Sequence, residues 1–143
     1  MTQSKRQKHL FLIYAHSDKN AVRKLYHRLT RSHIATWMDE MELLPGQNWK
    51  HKIRQSILRS DAVIVCLSKQ FNKQGGYRHE EVKIALGKAR SIPEDQIFLI
   101  PARLEKCDVP EPLRQWQYVS LFEVDGYKKL LKTLRESLFS NSS

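Results

Sequence analysis

Short, nearly unbroken apolar runs alternate along this chain with apolar stripes at helical spacing, and that alternation restricts the fold more than any other feature. A strand covered on both faces needs apolar residues at successive positions. A surface helix needs them at i, i+3, i+4 and i+7. The first kind of pattern occurs at His9–Tyr14, Ile34–Asp39, Ala62–Leu67 and Gln96–Ala102. A weaker example, Tyr118–Leu121, sits in an irregular stretch from Pro110 to Phe122. The second kind occurs as Val22/Leu25/Tyr26/Leu29, Trp49/Ile53/Ile57, Val82/Ala85/Leu86/Ala89 and, from about Tyr127 to Leu138, Leu130/Leu131/Leu134/Leu138. Ser17 or Asp18 is placed to cap the first helix, and Pro45-Gly46 and Gly75-Gly76 break the chain into loops.

Strands alternating with helices of this length predict right-handed βαβ units and a parallel sheet. With five strands, the expected fold class is α/β: a flavodoxin-like three-layer sandwich of strand order 2-1-3-4-5 with helices on both faces. That order puts a topological switch between the first and third strands, where open α/β sheets bind ligands at their carboxyl ends. The loops 14–18 and 68–77 are expected to flank the crevice, with 39–48 alongside. Residues 1–8 read as a basic lead, 9–138 as one domain, and 139–143 as a polar tail, a ragged end or the start of a linker to a further domain.

Charge and cysteine usage narrow the function classes. The chain of 143 residues carries a net charge of +10, and residues 1–60 hold twelve Lys/Arg against four Asp/Glu. Such a basic half attracts polyanions, although a solvated face is the commoner meaning of surface charge. No stretch approaches the roughly 20 apolar residues of a spanning helix, and the polar start is no secretory signal. Cys66 lies in an apolar run, far from Cys107, so a buried thiol in a reducing cytosol is expected. The histidines lack metal-ligand spacing, and no P-loop, Gly-x-Gly-x-x-Gly or Gly-x-Ser-x-Gly is present. A phosphoacceptor receiver domain shares this fold but needs an acidic residue at the end of strand 3, where Leu67-Ser68-Lys69 stands instead.

Three segments in the strand-tip loops point to one family. Leu12-Ile13-Tyr14-Ala15-His16-Ser17-Asp18, Trp37-Met38-Asp39-Glu40 with Leu43-Leu44-Pro45-Gly46-Gln47-Asn48-Trp49, and Ser60-Asp61-Ala62-Val63-Ile64-Val65-Cys66-Leu67-Ser68 occur in that order. They resemble the first box, the second box with its BB loop, and the third strand of Toll/interleukin-1 receptor (TIR) domains of bacterial type, collinear from about His9 to Leu138. In the NAD+-cleaving branch the third helix opens on Trp-x-x-x-Glu. Here Tyr77-Arg78-His79-Glu80-Glu81 corresponds, with Tyr77 in the Trp position and Glu81 on the glutamate.

The resemblance implies an NAD+ nucleosidase with Glu81 as catalytic residue. NAD+ is its substrate, and no cofactor or metal is required. Tyr14, Ala15, His16, Ser17, Asp39, Glu42, Phe71 and Tyr77 are the implied substrate-binding positions. Leu44, Pro45, Gly46 and Gln47 form the implied assembly loop for other TIR domains. The implied setting is cytoplasmic prokaryotic immunity, with a sensor domain elsewhere in the full protein and no membrane partner. Helical geometry independently prefers Glu81. At 100° per residue, Glu80 points away from the Val82/Ala85/Leu86/Ala89 stripe, whereas Glu81 lies at its edge, one turn after Tyr77. The plainer role for Glu81 is a surface ion pair with Arg78 or Lys88. Ser17 and Asp18 as caps, Phe71 as a loop anchor, and Trp37 and Trp49 as core are the plainer roles of those residues. Two other functions compete: a non-catalytic TIR–TIR adaptor, and a nucleic-acid-binding domain using the basic half. The second lacks the interleaved aromatics or Gly-x-x-Gly loop of common RNA-binding folds, so nucleic acid is not expected as a partner of this domain.

Overall fold

The computed structural model describes residues 8–38, 43–74 and 77–138, and of 77–79 the backbone only. Five strands form one parallel sheet: β1 (His9–Ile13), β2 (Ala35–Trp37), β3 (Ala62–Leu67), β4 (Leu99–Arg103) and β5 (Val119–Ser120). Their order is β2-β1-β3-β4-β5, as expected, so the switch point lies between β1 and β3. The register sets Phe11 beside Trp37 on one side and Val63 on the other, while Val65 pairs with Pro101 of β4. Pro101, which has no N–H to give, occupies an interior strand within this ladder.

The helices are α1 (Lys19–Arg31), α2 (Trp49–Arg59), a short α3 (Lys69–Lys73), α4 (Tyr77–Ser91) and α5 (Gly126–Ser137). The strands' period of two splits the core into two layers. Leu10, Leu12 and Tyr14 of β1 pack with Val22, Leu25 and Leu29 of α1 and Leu130 and Leu134 of α5. Phe11, Ile13 and Ala15 pack the other way, with Ile53 and Ile57 of α2, Phe71 of α3, and Val82, Ala85 and Leu86 of α4.

Several boundaries differ from expectation. The second strand is shorter than Ile34–Asp39, and its last expected residue falls outside the described residues. The fourth begins at Leu99 rather than Gln96, because Gln96 closes a turn onto Pro93 and the chain first reaches β3 where Val63 N–H donates to Phe98 C=O at 2.7 Å. The brief α3 has too few residues to show a periodic stripe, and only its buried Phe71 marks it. Trp49 is not core: it is 40% exposed. Residues spaced by four drift about 40° per step around a helix, so a Trp49/Ile53/Ile57 stripe rotates away from the sheet at its amino end.

Candidate functional site

At the carboxyl ends of β1 and β3 the chain makes two turns that are fastened together. After β1, Asp18 N–H donates to Ala15 C=O at 2.8 Å and closes a single 3-10 turn over His16–Asp18. After β3, the Ser68 hydroxyl accepts from Phe71 N–H at 3.0 Å and so caps α3. The same hydroxyl donates to Asp18 Oδ2, linking loops fifty residues apart in sequence. The expected capping of α1 by Ser17 or Asp18 is therefore corrected: Asp18 stands at the cap position, but its carboxylate is committed to Ser68. Burial first, and then the Glu105 carboxylate, hold Asp18 above the ordinary value of 3.8, against the lowering effect of the Ser68 bond. Glu105 in turn accepts from Lys69 N–H at 2.8 Å, and Asn72 Nδ2 donates to Asp108 C=O at 2.9 Å, so residues beyond β4 brace α3.

Helix α4, which shares a core layer with Ala15 and Phe71, carries Glu81 into the protein. Helix α4 follows β3, so it begins at the carboxyl ends of the strands. Glu81 is in its first turns and is 2% exposed. Its Oε2 atom is sealed from water. Glu80, one residue earlier, stands out in solvent with its side chain 68% exposed and lies 3.9 Å from Lys83. The difference follows from rotation around the helix, because Val82, Ala85 and Leu86 are buried on the sheet-facing side. The other buried polar side chains among the described residues are the hydroxyls of Thr36, Ser60, Ser68 and Ser120. Thr36 and Ser60 donate to nearby carbonyls, Ser68 joins Asp18, and Ser120 accepts from Arg103 at 2.8 Å. Glu81 alone in this group carries a carboxylate. Lys88, two turns on, donates to the carbonyls of Leu58 and Ser60 and ties α4 to the end of α2.

The expected site residues divide between the two layers. Ala15 and Phe71, both buried, share the layer of Val82 and Ala85 and so lie on Glu81's side of the sheet. Tyr14 is buried in the opposite layer, the one that α1 and α5 cover, while its backbone remains at the strand tip. His16 and Ser17 are exposed on the 3-10 turn. Tyr77 is the first residue of α4, and its side chain is outside the described residues, as are Asp39 and Glu42. Leu44, Pro45, Gly46 and Gln47 form an exposed turn in which Gln47 N–H donates to Leu44 C=O at 3.2 Å. Gly46 has φ +88°. Proline followed by a residue of positive φ is the sequence of a type II turn, and glycine takes that conformation without steric cost. Gln47 Oε1 also accepts from Leu44 N–H at 2.7 Å, leaving the Leu44 side chain 66% exposed at the tip.

Sequence reasoning did not find the Asp18–Ser68 link or its brace by Glu105. A serine directly after the most apolar strand was the available signal, since a serine in that place commonly caps the next helix. The cysteines are not nucleophile candidates here. Burial, with the Asp18 charge adding to it, pushes the Cys66 thiol well up, and burial also raises Cys107. Two described clefts lie away from Glu81. One, of about 720 Å³, runs along β4, β5 and α5; the other, of about 280 Å³, lies between α1 and the start of α5.

The TIR domain family matches residues 10–134, most of the chain. The chain belongs to the TIR family. No curated protein matches it. Among solved structures, the TIR domain of the Toll-related receptor TRR-2 from Hydra magnipapillata is 23% identical with a TM-score of 0.72, over 88% of this chain and 97% of that one. A prokaryotic SEFIR domain is 18% identical with a TM-score of 0.68, over 95% and 97%. The TIR domains of the activated Roq1 resistosome are 20% identical with a TM-score of 0.60, over 94% and 74%. At these identities the likeness is one of fold. Among the described residues, no helix of this TIR domain is long and apolar enough to cross a membrane.

Proposed function

We propose that this TIR domain is of the bacterial, NAD+-cleaving type, with Glu81 as the catalytic carboxylate. The observation that carries the reading is the burial of Glu81, 2% exposed, at the strand-tip end of α4. An ionised carboxylate withdrawn from water is costly, and titratable groups kept in such places cluster at functional sites. One carboxylate is enough for this reaction. The C1′–N bond breaks, its electron pair leaves with nicotinamide as a neutral base, and no acid has to protonate the leaving group. A glycosidase with a poor leaving group needs two carboxylates. The remaining anion accepts hydrogen bonds from ribose hydroxyls and stabilises the oxocarbenium charge that develops. Attack by water gives ADP-ribose and a proton; attack by a nitrogen of the substrate's adenine gives a cyclic ADP-ribose.

Ala15 and Phe71 line the Glu81 side, His16, Ser17 and the backbone of Tyr14 take the ribose and phosphates, and Tyr77 stacks the nicotinamide. Asp39 and Glu42 help hold the substrate. The exposed Leu44–Gln47 turn completes a neighbour's pocket, so activity depends on self-assembly. In the cell the domain acts in the cytoplasm as the effector of an anti-phage immune protein that a separate sensor triggers. The test is to incubate the concentrated protein with NAD+ and resolve the products by chromatography. Wild type is expected to release nicotinamide and ADP-ribose or its cyclic form, with a specific rate that climbs with protein concentration, and Glu81→Ala is expected to release none. A second reading, a non-catalytic TIR–TIR scaffold, is favoured by the Leu44 side chain at the tip of that turn. It predicts concentration-dependent assembly with no nicotinamide released by wild type.

A further inference from the structure

Residue counting placed the positive charge in the first half of the chain, but the fold redistributes it. Helices α1 and α5 come from opposite ends of the sequence and cover the same layer of the core, α1 through Val22, Leu25 and Leu29 and α5 through Leu130 and Leu134. Arg28 joins them: its guanidinium lies 3.7 Å from the centre of the Tyr127 ring, whose hydroxyl is 2.9 Å from Ser32 Oγ. The outward sides of the two helices are strongly basic. Lys24, Arg28 and Arg31 of α1 and Lys128, Lys132 and Arg135 of α5 are all exposed. Helix α1 contains no acidic residue, and α5 contains only Glu136. The cleft of about 280 Å³ between them has Lys24 and Arg28 on one wall and Tyr127 on the other.

We propose that this α1–α5 face binds the phosphate backbone of double-stranded nucleic acid, independently of the chemistry at Glu81. Charge complementarity supports a polyanion, since six exposed cations on two neighbouring helices present a broad positive surface to phosphates. The side chains that accompany these cations among the described residues decide which polyanion. Single strands are held by bases stacked on exposed aromatic rings, whereas Tyr127 lies beneath Arg28 and Tyr26 sits edge-on to His27, both half-buried. A membrane surface is gripped by apolar side chains among the basic ones. Of the large exposed apolar residues among those described, Leu44, Trp49 and Leu58 lie around α2, Ile97 before β4, and Tyr118 and Phe122 beside Arg103, which leaves Val124, in the turn before α5, as the one that adjoins this face. Among the described residues, a face of six cations with no exposed aromatic ring and a single apolar side chain at its edge suits the regular phosphates of a duplex, read without regard to sequence.

The test is fluorescence anisotropy of the whole chain with a DNA duplex of about 20 base pairs, roughly two helical turns, over a salt series. Each phosphate contact contributes a slope of about 0.9 in log affinity against log salt. Replacing Arg28→Gln, Lys132→Gln and Arg135→Gln together is expected to lower that slope by roughly 2 to 3 and to weaken binding more than tenfold at low salt. Replacing Lys50→Gln, Lys52→Gln and Arg54→Gln on α2, across the sheet, removes the same net charge and is expected to leave slope and affinity nearly unchanged. Lys24→Gln with Lys128→Gln provides a second, smaller decrease that disturbs no packing. Equal losses from the α1–α5 and α2 variants would mean that net charge alone binds, and would overturn the proposal. So would binding to phosphatidylserine-containing vesicles without binding to the duplex. Because NAD+ cleavage is measured separately on the same proteins, failure here leaves the Glu81 reading untouched.

Discussion

The two faces of the sheet use charge in opposite ways. On the side of α2, α3 and α4, a carboxylate is drawn inside, and the core around it is otherwise apolar. On the side of α1 and α5, the interior contains no Asp, Glu, Lys or Arg among the described residues, and the cations stand outside in a dense array. A charge taken out of water costs free energy that folding must offset, so its position reports chemistry. A charge left in water contributes little to stability and acts at long range, together with its neighbours. On the proposed reading, the first face acts on one molecule at short range. On the same proposed reading, the second attracts a large polyanion.

Three substitutions sharpen that contrast. Gly126→Ala, where α5 begins beside β5, has the largest expected effect. A Cβ there would stand 2.0 Å from Ser120 O and 2.9 Å from Leu121 Cα, both backbone atoms that have no rotamer to move. Denaturant melts are expected to show a loss of about 3 kcal/mol or more, and any loss of nucleotide cleavage should follow the unfolded fraction. A stable Gly126→Ala would mean that α5 is not held against β5 as described.

Asp18→Asn has a smaller effect, read in its pH dependence. Asp18 is held above 3.8, chiefly by burial and then by Glu105. In the window just above 3.8 the folded chain therefore retains a proton that the unfolded chain has lost. Stability from this group falls as pH rises through that window and is constant above it. Melts across the acid range are expected to show a shallower decline for Asp18→Asn than for wild type. A steeper decline would reverse the sign of the shift. Glu80→Gln should change least. Its contact with Lys83 is solvent-exposed, so less than about 0.5 kcal/mol is expected, with the catalytic rate unaffected.

The layering was legible only in part: a period of two sends the neighbours Tyr14 and Ala15 to opposite sides of the sheet, although both are expected at the substrate, and the helical Phe71 is placed by packing alone. The strand order was legible from the alternation of strands and helices together with the common flavodoxin-like order of five-stranded sheets. The contrast between Glu80 and Glu81 was legible as a rotation about α4. Contacts between distant segments were not. The Asp18–Ser68 bond closes a gap of fifty residues, and nothing local to either residue distinguishes that bond from ordinary helix capping. The α1–α5 face was hidden for a similar reason, since charge counted along the chain says nothing about which helices become neighbours.

The most direct measurement compares steady-state NAD+ cleavage by wild type, Glu81→Gln and Glu80→Gln at equal concentration, with circular dichroism confirming that each is folded. Removing only the charge at position 81 is expected to reduce the rate at least a hundredfold, about 2.7 kcal/mol in the barrier, while the change at position 80 leaves it intact. A folded Glu81→Gln that cleaves NAD+ at the wild-type rate would contradict the account.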